Sequence, residues 1–236
     1  MNIVVLSGAG LSAESGIETF RDKDGLWANH PVDEVATMDG FTANPTLVHN
    51  FYNERRRQLK DVSPNAAHYA LAELEKTPGI DLFHVTQNID DLCERAGEKN
   101  VVHMHGELLK CRCLMCSTVV KWNGDTNIDL ECPSCGFTSE WGSLRPHIVW
   151  FGEIPMRMQE IEDALRSCDL FAAIGTSGQV YPAAGFVNIA NSCGKQTVLL
   201  NKEVTGQNYF EEVIQGNAGT IVPAWVDKLK KGHYII

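Results

Sequence analysis

Short apolar runs alternate with longer amphipathic segments along this 236-residue chain. The apolar runs predict strands at 3–6, 81–86, 170–174, 197–200 and 220–222. Apolar positions at helical spacing predict helices at 156–167, 183–192 and 223–230. Because strands that alternate with helices form parallel sheets covered on both faces, the pattern predicts an α/β fold with a Rossmann-like parallel sheet.

Small and polar residues follow four of these predicted strands, at 8–10, 87–90, 175–177 and 201–202. Each group alone is typical of a turn or a helix cap. In a parallel sheet, however, ligands bind beyond the carboxyl ends of the strands. Four such groups at one edge of the sheet favour a binding pocket there.

The first of these groups opens a glycine-rich segment that ends at Gly16. A buried strand, a glycine-rich turn and a helix start together favour phosphate binding, since the backbone can approach a pyrophosphate and the helix supplies N–H groups. The spacing departs from GxGxxG because Gly16 lies six residues after Gly10, and no acidic residue closes a second strand. A standard dehydrogenase is therefore not expected.

Two segments interrupt the α/β pattern. Residues 29–79 are mostly helical, and residues 111–141 are polar and rich in cysteine. We expect a Rossmann-like domain made of 1–28, 80–110 and 142–236, and a small domain made of the helical insertion and a zinc-ribbon insertion.

Four cysteines of the second insertion form two CxxC pairs, Cys113 with Cys116 and Cys132 with Cys135. Thiolates at this spacing select zinc, and four protein ligands leave no open position, which predicts a structural ion. The ion would supply the folding free energy of a module too small for its own core. Cys111 is a competing ligand, but the symmetry of the two pairs favours Cys113.

Charge and composition narrow the partners. The net charge of −10 argues against nucleic acid and is compatible with a basic partner such as a lysine-containing peptide. Met1 and Asn2 lead directly into an apolar run without a signal-peptide basic region, and no run approaches membrane-spanning length. Eight cysteines then indicate metal ligands and buried thiols. We expect a cytoplasmic protein with no membrane partner.

Two pairs of side chains leave alternatives open. His103 and His105 share one face of a predicted strand. Three roles are open for them: a metal-binding pair, two structural histidines, or a pair in which one histidine is a catalytic base. The metal pair is the weakest option because the cysteines already satisfy zinc. Tyr52 and Arg55 share a helix face. Spacing alone favours a solvated charged surface there, since Arg55 lies in the run Glu54–Arg57.

The motifs in combination resemble the sirtuin family, over nearly the whole chain and in the family's order. They are GAGxSxxSGIxxFR from Gly8 to Arg21, QNIDxL from Gln87 to Leu92, HGE from His105 to Glu107, the paired cysteines, and GTS from Gly175 to Ser177. The bacterial class III type is most similar. The resemblance implies an NAD-dependent protein lysine deacylase, in which nicotinamide leaves and the acyl group moves to ADP-ribose.

The resemblance also implies roles for residues. His105 is the general base, His103 is structural, and Asp90 accepts from the carboxamide of NAD. The implied cofactor-binding residues are Gly8, Ala9, Gly10, Ser12, Ala13, Glu14, Phe20, Arg21, Trp27, Gln87, Asn88, Ile89, Asp90, Gly175, Thr176, Ser177, Asn201, Lys202, Glu203 and Ala218. Two positions depart from the family pattern: Glu18 replaces a common proline, and Cys93 replaces a common histidine.

The implied substrates are acylated protein lysines. Tyr52 and Arg55 match a motif of sirtuins that accept malonyl- and succinyl-lysine, with Arg55 paired to the distal carboxylate. Acetyl-lysine remains a substrate. Val149 and Phe151 would line the acyl-lysine tunnel, where substrate backbone pairs as an added strand. An NAD or ADP-ribose sensor and a mono-ADP-ribosyl transferase are the alternatives.

Overall fold

The computed structural model describes residues 1–18, 26–27, 30–203 and 209–232. Its strands are β1 Asn2–Ser7, β2 Leu26–Trp27, β3 His30–Pro31, β4 Asp81–Thr86, β5 Val101–His103, β6 Gly106–Cys113, β7 Val119–Lys121, β8 Leu144–Ile148, β9 Leu170–Ile174, β10 Gln196–Asn201 and β11 Glu212–Gln215. Its α-helices are α1 Val32–Val35, α2 Met38–Ala43, α3 Pro45–Leu59, α4 Ala66–Glu75, α5 Leu92–Arg95, α6 Met158–Ser167, α7 Phe186–Ser192 and α8 Ala218–Lys230.

The central sheet has six parallel strands in the order β11-β10-β9-β1-β4-β5. The chain runs outward from β1 through β4 to β5, and then crosses to the other side of β1 for β9, β10 and β11. This reversal leaves a crevice between β1 and β9, at the carboxyl ends of the strands. The Rossmann-like parallel sheet predicted from the sequence is confirmed.

Helices cover both faces of this sheet. In β1, Ile3 and Val5 are buried in the core that contains Leu71 of α4 and Trp225 of α8, whereas Val4 lies in the core that contains α6 and α7. Successive side chains of a strand point to opposite faces. Residues 3–6 of β1 are apolar and buried on both faces, so β1 lies in the middle of three layers.

A second packing region adjoins the first. Strands β6 and β8 of the antiparallel sheet β7-β6-β8 share a core with helices α1 to α3, and this core includes Phe41, Phe51, Leu108 and Trp150. The packing divides the predicted helical insertion 29–79, because α4 lies against the large sheet and α8. Strand β6 likewise continues across the predicted start of the zinc-binding insertion at residue 111, and it pairs with β8, which lies outside that insertion.

Two of the secondary-structure predictions are wrong, one near the end of the chain and one directly after β1. Residues 220–222 are not a strand, since they lie within α8. The last strand of the large sheet is instead β11. Val222, Trp225, Val226 and Leu229 are all buried, so helical periodicity outweighs the β propensity of the branched residues. After β1 the chain forms two 3-10 turns, Ala9–Leu11 and Ala13–Ser15, instead of a regular helix.

Within the described residues, no helix combines the length and the apolar character needed to cross a membrane.

Candidate active site

A cleft of about 840 Å³ lies at the carboxyl ends of β1, β4, β9 and β10 and extends toward α3. Its volume is within the range of cofactor pockets. All but two of the residues predicted from the sequence to bind cofactor or substrate line this one cleft, and His105 lines it as well. Those two, Phe20 and Arg21, lie outside the described residues.

Amide side chains join the loops that follow the strands of the large sheet at the floor of the cleft. Gln87, after β4, donates from Nε2 to the hydroxyl of Thr176 at 3.0 Å, and Asn201, after β10, donates from Nδ2 to the Thr176 carbonyl at 2.9 Å. Gly8 N donates to Ile174 O at 2.9 Å. These contacts fix the loops that follow β1, β4, β9 and β10 relative to one another.

Ser12 is the centre of a buried hydrogen-bond network. Its hydroxyl donates to Asp90 Oδ2 at 3.0 Å and accepts from Asn88 Nδ2 at 3.1 Å. His68 Nδ1 accepts from Asn65 N, so His68 Nε2 carries the proton and donates to Ser12 at 3.3 Å. Burial raises the pKa of Asp90. The Ser12 hydroxyl is thus fully used in orienting Asp90 and Asn88 at the cleft.

The far end of the cleft lies at the N-terminus of α8. Glu14 Oε2 accepts from Gly219 N at 2.6 Å, so the loop after β1 caps this helix with a carboxylate. Ala218 and Lys202 line the cleft beside it, and Lys202 is exposed.

His105 is half-buried and faces the cleft. Its Nδ1 lies 3.2 Å from Gln87 O, and because a carbonyl can only accept, Nδ1 carries the proton. Nε2 therefore keeps a lone pair. Burial lowers the pKa of His105 from its usual value, which keeps the ring neutral at pH 7. A neutral histidine with a fixed tautomer is suited to accept a proton.

His103 has a different environment. Nδ1 donates to Asn88 O at 3.0 Å and Nε2 lies 2.7 Å from Glu94 Oε1. Burial alone would lower the pKa of His103, but the hydrogen bond and charge of Glu94 outweigh it and raise the pKa. Both ring nitrogens are thus used in structural contacts.

Helix α3 forms the other wall of the cleft. Asn44 caps it by accepting from Leu47 N at 3.0 Å, and Pro45 occupies its first turn, where no N–H donor is needed. Val48 and Phe51 bury its apolar stripe in the second core. The helical register set by this core places Tyr52 and Arg55 at the cleft.

Tyr52 and Arg55 lie in an aromatic cluster. The Arg55 guanidinium lies 3.5 Å from the ring centroid of Phe51 and 5.9 Å from that of Trp27. Its Nη1 donates to Phe51 O at 2.7 Å and lies 3.5 Å from Glu54. In the described chain, Nε and Nη2 of Arg55 have no hydrogen-bond partner. Trp27, expected to bind cofactor, lies at this end of the cleft, beside Tyr52.

The next face of α3 binds the loop between the two cysteine pairs. Asn53 Nδ2 donates to Thr126 O and its Oδ1 accepts from Thr126 N, both at 2.8 Å. His49 Nδ1 lies 2.8 Å from the Thr126 hydroxyl, and Arg56 Nη1 donates to Asn53 Oδ1 at 2.8 Å. These four side chains are buried. The zinc-binding insertion is therefore held against the helix that carries Tyr52 and Arg55.

The four paired cysteines converge as predicted. Sγ atoms are 3.8 Å apart for Cys113 and Cys135, 3.9 Å apart for Cys116 and Cys132, and all four lie within 4.8 Å of one another. Thiolates about 2.3 Å from a tetrahedral zinc ion are separated by about 3.8 Å, so the cluster fits zinc. Cys111 is outside the cluster and accepts instead from Arg56 Nη2 at 3.6 Å.

Residues 8–182 match the family model described as Sir2 family. The chain belongs to the Sir2 family. A relative from Pasteurella multocida (strain Pm70), named NAD-dependent protein deacylase, is 56% identical over 229 residues, covering 96% of this chain and 97% of the relative. A solved Sir2 homologue–NAD complex has a TM-score of 0.87 and 35% identity, covering 99% of this chain and 91% of that one.

A mutant Sir2 homologue in complex with 2′-O-acetyl ADP ribose is equally similar. Its TM-score is 0.87 at 34% identity, covering 99% of this chain and 94% of that one. Such coverage extends over both packing regions. The large sheet and the small region of this chain therefore both follow the Sir2 fold.

The segment after β8, where the sequence predicts contacts with a substrate strand, uses two of its N–H groups within the chain. Val149 N donates to His105 O and Phe151 N donates to Ala36 O, both at 2.9 Å. These internal bonds occupy both N–H groups, although both residues line the cleft. These two N–H groups are therefore not available to a further strand added along this segment.

Several cleft residues of this Sir2 family member were missed from the sequence. Gln58 and Leu59 line the cleft one turn after Arg55, and Trp150 lies between Val149 and Phe151. Extending the helical spacing of Tyr52 and Arg55 by one turn would have found the first two. Trp150 lies within a stretch that the sequence already indicated.

Proposed function

We propose that this chain is an NAD-dependent protein lysine deacylase that removes acetyl, succinyl and malonyl groups, with His105 as the general base. The overall reaction consumes acyl-lysine, NAD and water, and it yields free lysine, nicotinamide and O-acyl-ADP-ribose. Two likenesses support this proposal: the deacylase name of the 56% identical relative and the acetyl ADP ribose bound by a Sir2 homologue.

The observation that carries the proposal is the state of His105. Its Nδ1–H is bound to Gln87 O, so the unprotonated Nε2 is available in the same cleft as the glycine-rich loop. Its lowered pKa supports a neutral ring at pH 7. Such a base can accept a proton from a ribose hydroxyl, a step that typically contributes a factor of about 10²–10⁴ to the rate.

The donor set of the cleft fits NAD. Asp90 and Asn88 offer a carboxylate and an amide suited to a carboxamide and a ribose, and the loops after β1 and β9 present backbone groups without bulky side chains. Bound NAD supplies the ADP-ribosyl group that receives the acyl group as nicotinamide leaves. The protein's own contribution is to hold these groups, exclude water and move the proton at His105.

The environment of Arg55 supports the proposed removal of acidic acyl groups. Its side chain is only 11% exposed, yet Nε and Nη2 bind no described residue. A partly desolvated guanidinium with free donors favours a carboxylate. We therefore assign the distal carboxylate of a succinyl or malonyl group to Arg55.

The test is a comparison of Arg55→Met with Arg57→Met on acetylated and succinylated peptides of one sequence, with and without NAD. Arg57 lies on the same helix but pairs with exposed Asp125 outside the cleft. We expect Arg55→Met to lower kcat/KM for the succinyl peptide by at least about thirtyfold and for the acetyl peptide by less than about threefold. Arg57→Met should match the wild type on both.

Other outcomes favour the alternatives. Equal losses on both peptides would remove the acyl-carboxylate role of Arg55. NAD binding without lysine release would favour a sensor, and transfer of ADP-ribose to protein without deacylation would favour a transferase.

The eight cysteines lack disulfide partners, which supports the expected cytoplasmic location.

A further inference from the structure

Tyr52 has one hydrogen-bond partner in the described part of the chain. Trp150 Nε1 donates to the Tyr52 hydroxyl oxygen at 2.9 Å, and the two residues lie 98 positions apart in the sequence. Tyr52 is fully buried, at 0% exposure, and forms the wall of the cleft beside Arg55. Its hydroxyl is thus withheld from bulk water.

Among the described residues, none accepts a hydrogen bond from the O–H group of Tyr52. Burial raises the pKa of Tyr52, so the phenol keeps its proton across the working range of pH. A phenolic hydroxyl has one O–H donor and accepts through its oxygen. Since Trp150 Nε1 donates to the oxygen, the O–H has no acceptor among the described residues, and the carboxylate of a ligand in the cleft can supply one.

Trp150 is rigidly held in this role. Its ring lies 3.5 Å from the Arg145 guanidinium and tilted against Phe41, with centroids 5.3 Å apart. Its backbone N donates to Glu153 Oε2 at 2.8 Å, and Arg145 binds both oxygens of Glu153 at 2.6 and 3.0 Å. Trp150 is 2% exposed. The indole N–H therefore has a fixed direction toward Tyr52.

We propose that Trp150 is a positioning residue for acyl-group selection. By occupying the acceptor side of the Tyr52 hydroxyl, it directs the Tyr52 O–H to the distal carboxylate that Arg55 binds. This inference rests on the proposed function of the acyl end of the cleft. A preorganised donor in a desolvated site loses less entropy on binding, so the effect should appear in succinyl over acetyl selectivity.

The experiment removes the N–H and keeps the ring. Trp150→Phe, Tyr52→Phe and the double variant are compared with the wild type on succinyl and acetyl peptides of one sequence. We expect Trp150→Phe to lower the succinyl-to-acetyl ratio of kcat/KM by roughly five- to twentyfold, mainly through KM for the succinyl peptide. The double variant should lose no more selectivity than Tyr52→Phe alone, because both changes remove one interaction.

A second replacement covers the case in which the smaller phenyl ring destabilises the fold. Benzothienylalanine at position 150 keeps the bicyclic shape and replaces only the N–H by sulfur, and it should lower the ratio to the same extent. Equal losses on both peptides, or independent effects of the Tyr52 and Trp150 changes, would overturn the proposal. If Arg55→Met abolishes succinyl selectivity while Trp150→Phe keeps it, only the role of Trp150 falls. If the wild type does not release succinyl groups, the proposed acyl specificity and this role fall together.

Discussion

The backbone N–H of Gly10 donates to the carbonyl of Gly175 at 2.8 Å, which joins the loop after β1 to the loop after β9. A Cβ built on Gly10 would lie 2.7 Å from Gly175 Cα, and Gly175 has a φ of +61°. Small residues are expected here because a pyrophosphate must approach the backbone. The contact adds a second reason, since the two loops also approach each other at the reversal of strand order.

Gly10→Ala should therefore destabilise the protein and weaken NAD binding. The new methyl group meets backbone atoms that cannot rotate away, and such overpacking costs about 1–3 kcal/mol in the free energy of unfolding. Urea unfolding and NAD titration would measure both effects. Gly124→Ala is the matched control, because a Cβ at Gly124 has no described atom within 4 Å. Equal stability of the two variants would contradict the packing role of Gly10.

His105 predicts the acidic limb of the pH profile. Burial lowers the pKa of His105, so the ring stays unprotonated at pH values where an ordinary histidine of pKa about 6.5 is half charged. The decrease of kcat/KM on the acidic side should therefore be centred at a pH below about 6.5. His105→Asn should lower kcat by about 10²–10⁴ and remove this limb. An acidic limb that persists unchanged in His105→Asn would assign it to another group.

The sequence predicts the inner strands of the large sheet better than its edge strand β11. β1, β4 and β9 are buried strands whose apolar runs are visible directly, whereas β11 lies at the sheet edge and its residues are mostly exposed, so it carries little apolar signal. The place of α4 was also not predictable from helical periodicity alone. Its apolar side chains pack against the large sheet, and only the tertiary structure distinguishes that partner from the small domain.

In the candidate site, too, local features are visible in the sequence and long-range contacts are not. The four cysteines of the cluster are close in sequence and their spacing indicates the metal, and their geometry favours Cys113 over Cys111 as a ligand. Tyr52 and Trp150, in contrast, meet across 98 residues. No local pattern encodes a hydrogen bond between them, although both lie in segments that the sequence marked.

Two buried histidines predict acid sensitivity. Burial lowers the pKa of His49 and of His68 from 6.5 to about 4. Between these values the unfolded chain binds protons that the folded chain does not, so their contribution to stability is full above pH 6.5 and is lost as pH falls toward 4. Each histidine contributes a slope of about 1.4 kcal/mol per pH unit in this window.

His49→Gln tests this contribution. The variant is expected to be less stable at pH 7, because it perturbs the contact with Thr126, but its free energy of unfolding should fall less steeply from pH 6.5 to 4.5. The difference in slope should be about 1.4 kcal/mol per pH unit. Urea unfolding at several pH values measures both slopes. Parallel curves for the variant and the wild type would show that His49 does not carry the acid sensitivity.

The zinc cluster predicts opposite results for two neighbouring cysteines. Cys132→Ser removes a member of the four-thiolate cluster and should abolish stoichiometric zinc, because three thiolates no longer close a tetrahedral site. Cys111→Ser should retain one zinc ion per chain, since Cys111 is buried against Arg56 outside the cluster. Atomic emission and thermal unfolding measure metal content and stability. Loss of zinc from Cys111→Ser would show that Cys111 is a ligand.

Metal replacement then separates a structural ion from a catalytic one. Four thiolates leave no open coordination position, and the loop that the ion closes holds Thr126 against Asn53 of α3. Cadmium binds the same thiolates, so a cadmium-loaded protein should keep kcat near the wild-type value. Chelation should instead unfold the insertion, release α3 and raise KM for the succinyl peptide before the large sheet melts. A cadmium protein that folds, binds NAD and yet does not turn over would assign the ion a direct part in the chemistry.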